Sequence, residues 1–239
     1  MTNEQEQSPS GDSIYRHQPR EHNHDTQIAT PDEETTARIE AHLRTYVGDP
    51  WMVFHELVSD LVHIDVHIVQ PTTERPFFTL VTSGMSARPM HVPEGLEHLR
   101  YAEVLLCLPA DWKLQEHDLE QEENYWPIRW LKIIARLPHT YETWLCEGHT
   151  IPNGDPPEPF AANTELCGII LASPVLFDEA CINLPIHDGK TIRFLSLLPL
   201  YREEMDFKLM HGADLLFERL EKVAVSELLD LRRVNVCRG

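Results

Sequence analysis

From residue 62 to residue 69 the chain alternates strictly, with Val62, Ile64, Val66 and Ile68 apolar and His63, Asp65 and His67 polar. That two-residue period predicts a half-buried β-strand. A polar turn over 71–76 leads to a second predicted strand at 77–83, paired antiparallel with the first as a hairpin. A third strand is expected at 100–108. Near-continuous apolar runs at 166–173 and 192–198 read as central strands buried on both faces. Elsewhere the period lengthens. Ile39, Leu43 and Tyr46 or Val47 recur at helical spacing behind a Thr30-Pro31 start with Glu33 three residues after the cap, and Gly48 closes the helix. Trp130, Leu131 and Ile134 mark a helix at about 127–137, and further helices are expected at about 200–211 and 214–223. The stretch 150–163, with Pro152, Gly154, Pro156, Pro157 and Pro159, predicts a long rigid loop of the kind that often carries function. Strands and helices mix without regular βαβ alternation. The expected fold is therefore an α+β single-domain sandwich, a central mainly antiparallel or mixed sheet flanked by helices, over residues 30–239. Residues 1–29 are polar and acidic, and predict a tail without structure.

Composition narrows the function. The 239-residue chain carries 39 acidic against 20 basic residues, a net charge of −19, and its longest basic run is Arg232-Arg233. A phosphate backbone is repelled by such a surface, so nucleic acid is not an expected partner. Five scattered cysteines, Cys107, Cys146, Cys167, Cys181 and Cys237, form no C-x-x-C pair and fit a reducing compartment. The first residues lack the basic and apolar regions of a secretory signal, and no apolar run is long enough to cross a bilayer. A cytoplasmic location without membrane association is expected.

Candidate chemistry is sparse. His63, Asp65 and His67 share one face of a predicted strand, where two imidazoles and a carboxylate could converge on a metal ion. Fewer assumptions are needed to read them as hydrogen-bonded strand positions, which is the preferred reading, and a metal-dependent hydrolase stands as the alternative. Thr82-Ser83-Gly84-Met85-Ser86 offers hydroxyls beside a glycine but lacks the G-x-S-x-G arrangement, and reads as a tight turn. Cys146 and His149 lie too close along the chain to align as nucleophile and base, and no cation adjoins the thiol. Glu21-His22-Asn23-His24-Asp25 contains a short nuclease-like string inside the polar tail, with no apolar framework around it. Phosphate-loop, dinucleotide and H-E-x-x-H patterns are missing. No catalytic residues and no cofactor are expected.

Several blocks resemble the Suppressor of Fused domain family. Ile64-Asp65-Val66-His67-Ile68-Val69, Arg75-Pro76-Phe77 and Thr79-Leu80-Val81-Thr82-Ser83-Gly84-Met85-Ser86 look like its first block. Tyr101-Ala102-Glu103, Leu108-Pro109, Asp111-Trp112, Trp126-Pro127-Ile128-Arg129-Trp130-Leu131 and Gly148-His149-Thr150-Ile151-Pro152-Asn153-Gly154 continue it. Leu198-Pro199-Leu200-Tyr201, Glu203-Glu204-Met205 and Gly212 close it, in the same order across 46–235. The resemblance implies a non-enzymatic protein-binding domain. Larger eukaryotic members use it with a second domain to clamp a segment of zinc-finger transcription factors in Hedgehog signalling, gripping the segment largely as an added strand. Stand-alone members of this size look bacterial, and many are held to be immunity proteins that neutralise a toxin. The expected partner is thus a protein, with a cognate toxin as the leading reading and transcription-factor regulation as a further alternative. The family's partner-contacting region falls here on 137–153, which singles out Tyr141, Trp144, Glu147, His149 and Thr150.

Overall fold

The structure, a computed structural model, describes residues 6–17, 29, 33–56 and 61–238. The expected Thr30-Pro31 helix start and the 21–25 string lie outside the described residues. In chain order the elements are β1 (Glu6–Gln7), β2 (Ser13–Ile14), α1 (Glu33–Tyr46), β3 (Pro50–Phe54), β4 (Asp65–Val69), β5 (Phe77–Ser83), β6 (Ala102–Pro109), α2 (Glu122–Thr140), β7 (Thr150–Pro152), β8 (Gly168–Ala172), β9 (Asn183–Pro185), β10 (Thr191–Leu200), α3 (Arg202–His211) and α4 (Ala213–Lys222). Among the described residues, eight strands form one mixed sheet in the order β3-β4-β5-β6-β10-β8-β7, with β9 also paired to β10. All neighbours are antiparallel except β6 and β10, which run parallel over Ala102–Leu105 and Arg193–Ser196. This is the α+β architecture expected from the alternation of periods.

Alternation along the strands sorts the core into layers. Val62, Ile64, Val66 and Ile68, together with Leu80, Val104, Leu106, Leu195 and Leu197, face the side covered by Trp126, Trp130, Leu131 and Ile134 of α2. On the opposite face, Val69, Val81, Leu105, Ile192 and Phe194 meet Ile39 and Leu43 of α1. Further along that face, Ile170, Leu198 and Leu200 are covered by Met205 of α3 and by Leu216 and Leu220 of α4. Long central strands such as β10 therefore bury both faces, which is why their sequence carries an apolar run with no period.

Three departures from the expected elements have local causes. α2 begins five residues before Pro127, so this proline sits inside the helix. The proline lacks the N–H that would bond to the Glu123 carbonyl, and the Asn163 side-chain amide donates to that carbonyl instead, at 3.3 Å. β3 and β7 went unrecognised because five- and three-residue edge strands carry too few positions to show a period. Residues 6–17, inside the stretch expected to lack structure, instead form the β1–β2 hairpin. Ser8-Pro9-Ser10-Gly11 supplies the turn: the Gly11 N–H donates to the Ser8 carbonyl at 2.9 Å, with proline, serine and glycine where a type I turn favours them. Low apolar content misled the reading, because this hairpin is anchored by specific polar and ring contacts and not by a core.

Candidate functional site

The alternating face that offered His63, Asp65 and His67 as metal ligands divides into two separate polar clusters. His63 Nε2 lies 3.0 Å from one Asp65 oxygen and His55 Nδ1 lies 3.1 Å from the other. The Glu56 N–H also donates to Asp65, at 3.1 Å. His67 is buried and hydrogen-bonds through Nε2 to Ser83 Oγ at 2.8 Å. Burial holds its imidazole below the ordinary value, so it stays neutral near neutral pH. Among the described residues no group of three or more His, Cys, Asp or Glu side chains is arranged to hold a metal ion. The three residues of the hydrolase alternative do not converge as one set: His63 and Asp65 meet each other, while His67 turns to Ser83.

The serine-rich turn folds around a buried carboxylate. Glu103 on β6 is fully buried, and accepts hydrogen bonds from Thr82 Oγ1 (2.7 Å), Gly84 N (3.0 Å), Ser86 N (3.0 Å) and Ser86 Oγ (2.7 Å). Burial pushes its carboxyl upward, opposed by these donors. Gly84 sits at φ +116°, and a Cβ there would lie 1.9 Å from the His63 carbonyl oxygen, so glycine is required for this close approach. The hydroxyls are committed to the fold. They are not a nucleophile loop.

At the far edge of the sheet stands the segment 137–153. Tyr141 ends α2, its N–H bonded to the Leu137 carbonyl. Trp144 is half-buried against the main core and meets His149 edge-on, with ring centroids 4.6 Å apart. Burial, reinforced by the Lys208 charge, holds His149 below its ordinary pKa. Glu147 turns away and accepts a hydrogen bond from Ser173 Oγ at 3.0 Å. Cys146 is pushed up to about 11 by burial, so its thiol is protonated near neutral pH and is no nucleophile. Thr150 opens β7, the terminal strand of the sheet. The ladder to β8 uses the His149 carbonyl and the Asn153 N–H. Antiparallel alternation consequently turns the Thr150 N–H and C=O to the open side. The Thr150 hydroxyl is buried without a hydrogen-bond partner.

Of the five residues picked from the sequence, the fold thus brings Trp144 and His149 into contact and sets Thr150 beside them. Among the described residues, the ring contacts linking Tyr141 to them run through two rings that follow the β1–β2 hairpin. His17 stacks on Tyr141 (5.1 Å, 23°), and Tyr15 lies between His17 (6.2 Å) and His149 (6.4 Å). Sequence reading missed Tyr15 and His17. Their alternate spacing after a Pro-Ser-Gly turn was the available signal.

The chain is thus an α+β domain with a mixed sheet, helices on both faces, an open edge strand, and polar clusters spent on holding turns. It belongs to the Suppressor of fused protein (SUFU) family, whose model matches residues 60–234. Similar solved structures include a Suppressor of fused homologue from Neisseria gonorrhoeae FA 1090, 18% identical with a TM-score of 0.62, covering 86% of this chain and 98% of that one. The crystal structure of the Sufu–Fu complex is similar at 15% identity and a TM-score of 0.58, covering 86% and 92%. Drosophila Suppressor of Fused is similar at 14% identity and a TM-score of 0.56, covering 84% of this chain and 50% of that one. No curated protein matches the sequence. No described helix is long and apolar enough to cross a membrane.

Proposed function

We propose that this chain is a non-catalytic protein-binding domain, and that its partner docks on the face formed by Tyr141, Trp144, His149 and Thr150, with Glu147 at the rim. The open edge of β7 carries the reading: Thr150 offers an N–H and a C=O beside a cluster of rings, which suits an extended segment held by backbone bonds with side-chain contacts for selectivity. A relative of the same fold was crystallised in a Sufu–Fu complex, which supports protein binding as the family's mode of action.

The finer reading is an immunity-type role in which the partner is a cognate toxin. A net charge of −19 supports it, since an acidic surface accelerates docking on a basic target such as a nuclease. The test is co-expression with any toxin found encoded beside its gene, using the wild-type chain and Thr150→Pro. Proline at this edge position removes the outward N–H together with the Thr150 side chain but leaves the bonds to β8 made by His149 and Asn153, so the fold should persist while an added strand loses a bond. Protection by the wild type that falls at least tenfold with Thr150→Pro is the expected result. Equal protection by both would remove the β7 edge from the interface, and no protection by either would remove the toxin.

A further inference from the structure

The hairpin at residues 6–17 is fastened to the same face. The Ser10 N–H donates to the Leu209 carbonyl of α3 at 3.1 Å. Asp12 makes an ion pair with Lys208 at 3.1 Å, and the Lys208 side chain is only 11% exposed. Beyond the hairpin the chain runs on as an extended segment whose rings complete a continuous series: Tyr141, His17, Tyr15, His149, Trp144. Arg16, between the two inserted rings, lies 3.6 Å from Asp155, just beyond β7. The attachment is narrow and wet. Tyr15 remains 44% exposed, and among the described residues β1 and β2 pair only with each other and contribute nothing to a buried apolar cluster. Contacts of this kind, two partly exposed ion pairs, one backbone hydrogen bond and a few ring edges, are individually weak. That is enough to hold a tethered segment, and too little to resist a competitor.

We infer that residues 10–17 form an intramolecular strap that occupies the partner-binding face and must be displaced before a protein partner docks there. The inference rests on the proposed role of that face. It adds that the free chain is closed, and that part of the partner's binding free energy goes into opening it. Because the strap is tethered, its local concentration is on the order of 1 mM. A strap that would bind in trans at about 0.1 mM therefore weakens a competitor roughly tenfold.

The probe is a fluorescein-labelled peptide of residues 6–17, titrated by anisotropy against the full chain and against full chains carrying Tyr15→Ala with His17→Ala, or Asp12→Lys. The last reverses the charge opposite Lys208 and serves if the double variant folds poorly. The released chains are expected to bind the peptide about tenfold more tightly than the wild type, and adding Tyr141→Ala with His149→Ala should abolish that binding. Hydrogen exchange at amides 149–151 should be faster in the released chains. Equal affinity for closed and released chains, no binding to either, or binding indifferent to Tyr141→Ala with His149→Ala would each overturn the strap. The toxin assay reads the face independently. Loss of toxin protection in Thr150→Pro with an unresponsive peptide assay keeps the face and rejects the strap. A responsive peptide assay with no toxin effect does the reverse.

Discussion

Two polar regions of this domain look alike in sequence and differ in structure. Around Glu103, a carboxylate with no exposed surface is met by two hydroxyls and two backbone N–H groups in the centre of the sheet. Around His149, at the sheet edge, rings meet at 4.6–6.4 Å, a threonine hydroxyl has no partner, and a backbone edge stands open. The first region has spent its polar capacity internally; the second has capacity left over. That difference, and not the kinds of residue present, is what singles out the second region as the proposed docking face.

The sharpest way to break the comparison is Glu103→Leu. It strands four donors in the core and should cost about 3–5 kcal/mol, read from urea unfolding. A loss below about 1 kcal/mol would mean that the region is not structural. Arg233→Met comes next. Arg233 is the partner of Glu204, which is itself fully buried at the start of α3, and its guanidinium also donates to the Pro199 carbonyl at 2.8 Å. Leaving Glu204 unpaired should cost about 3 kcal/mol or more.

Acid provides a third probe. His139 donates from Nε2 to the Met85 carbonyl at 2.9 Å, and burial pushes its pKa from 6.5 down to about 4. The folded state prefers the neutral ring. Its contribution is therefore complete above pH 6.5, falls as the pH drops, and is gone below about 4. The loss is on the order of 3 kcal/mol, and His139→Gln should flatten that part of the stability–pH profile. At the edge the stability effects should be small. Tyr141→Ala and Thr150→Pro should each change unfolding free energy by about 1 kcal/mol or less, while weakening partner binding at least tenfold by calorimetry.

Much of the fold was legible because burial writes itself into periodicity. Val62, Ile64, Val66 and Ile68 all entered one core layer, as their spacing required. The predicted hairpin of β4 and β5 formed in register from Asp65↔Ser83 to Val69↔Thr79. Gly84 was readable as a turn. The residues of the candidate site were legible only through family resemblance, since Tyr141, Trp144 and His149 follow no period and no catalytic spacing. β7 and the hairpin at 6–17 escaped, because their stability comes from pairing and docking partners distant in the chain.

Local sequence determined which segments would be strands or helices, and which of their faces would be buried, because side-chain direction repeats with the backbone period. Only the tertiary structure decided that His67 bonds to Ser83 while Asp65 keeps His63 and His55. It alone closed four donors around Glu103, left one edge of β7 open, and laid Tyr15 and His17 between Tyr141 and His149. The physical reason is common to all four. Whether a polar group is satisfied depends on which distant atoms come within about 3 Å, and spacing along the chain does not encode that distance.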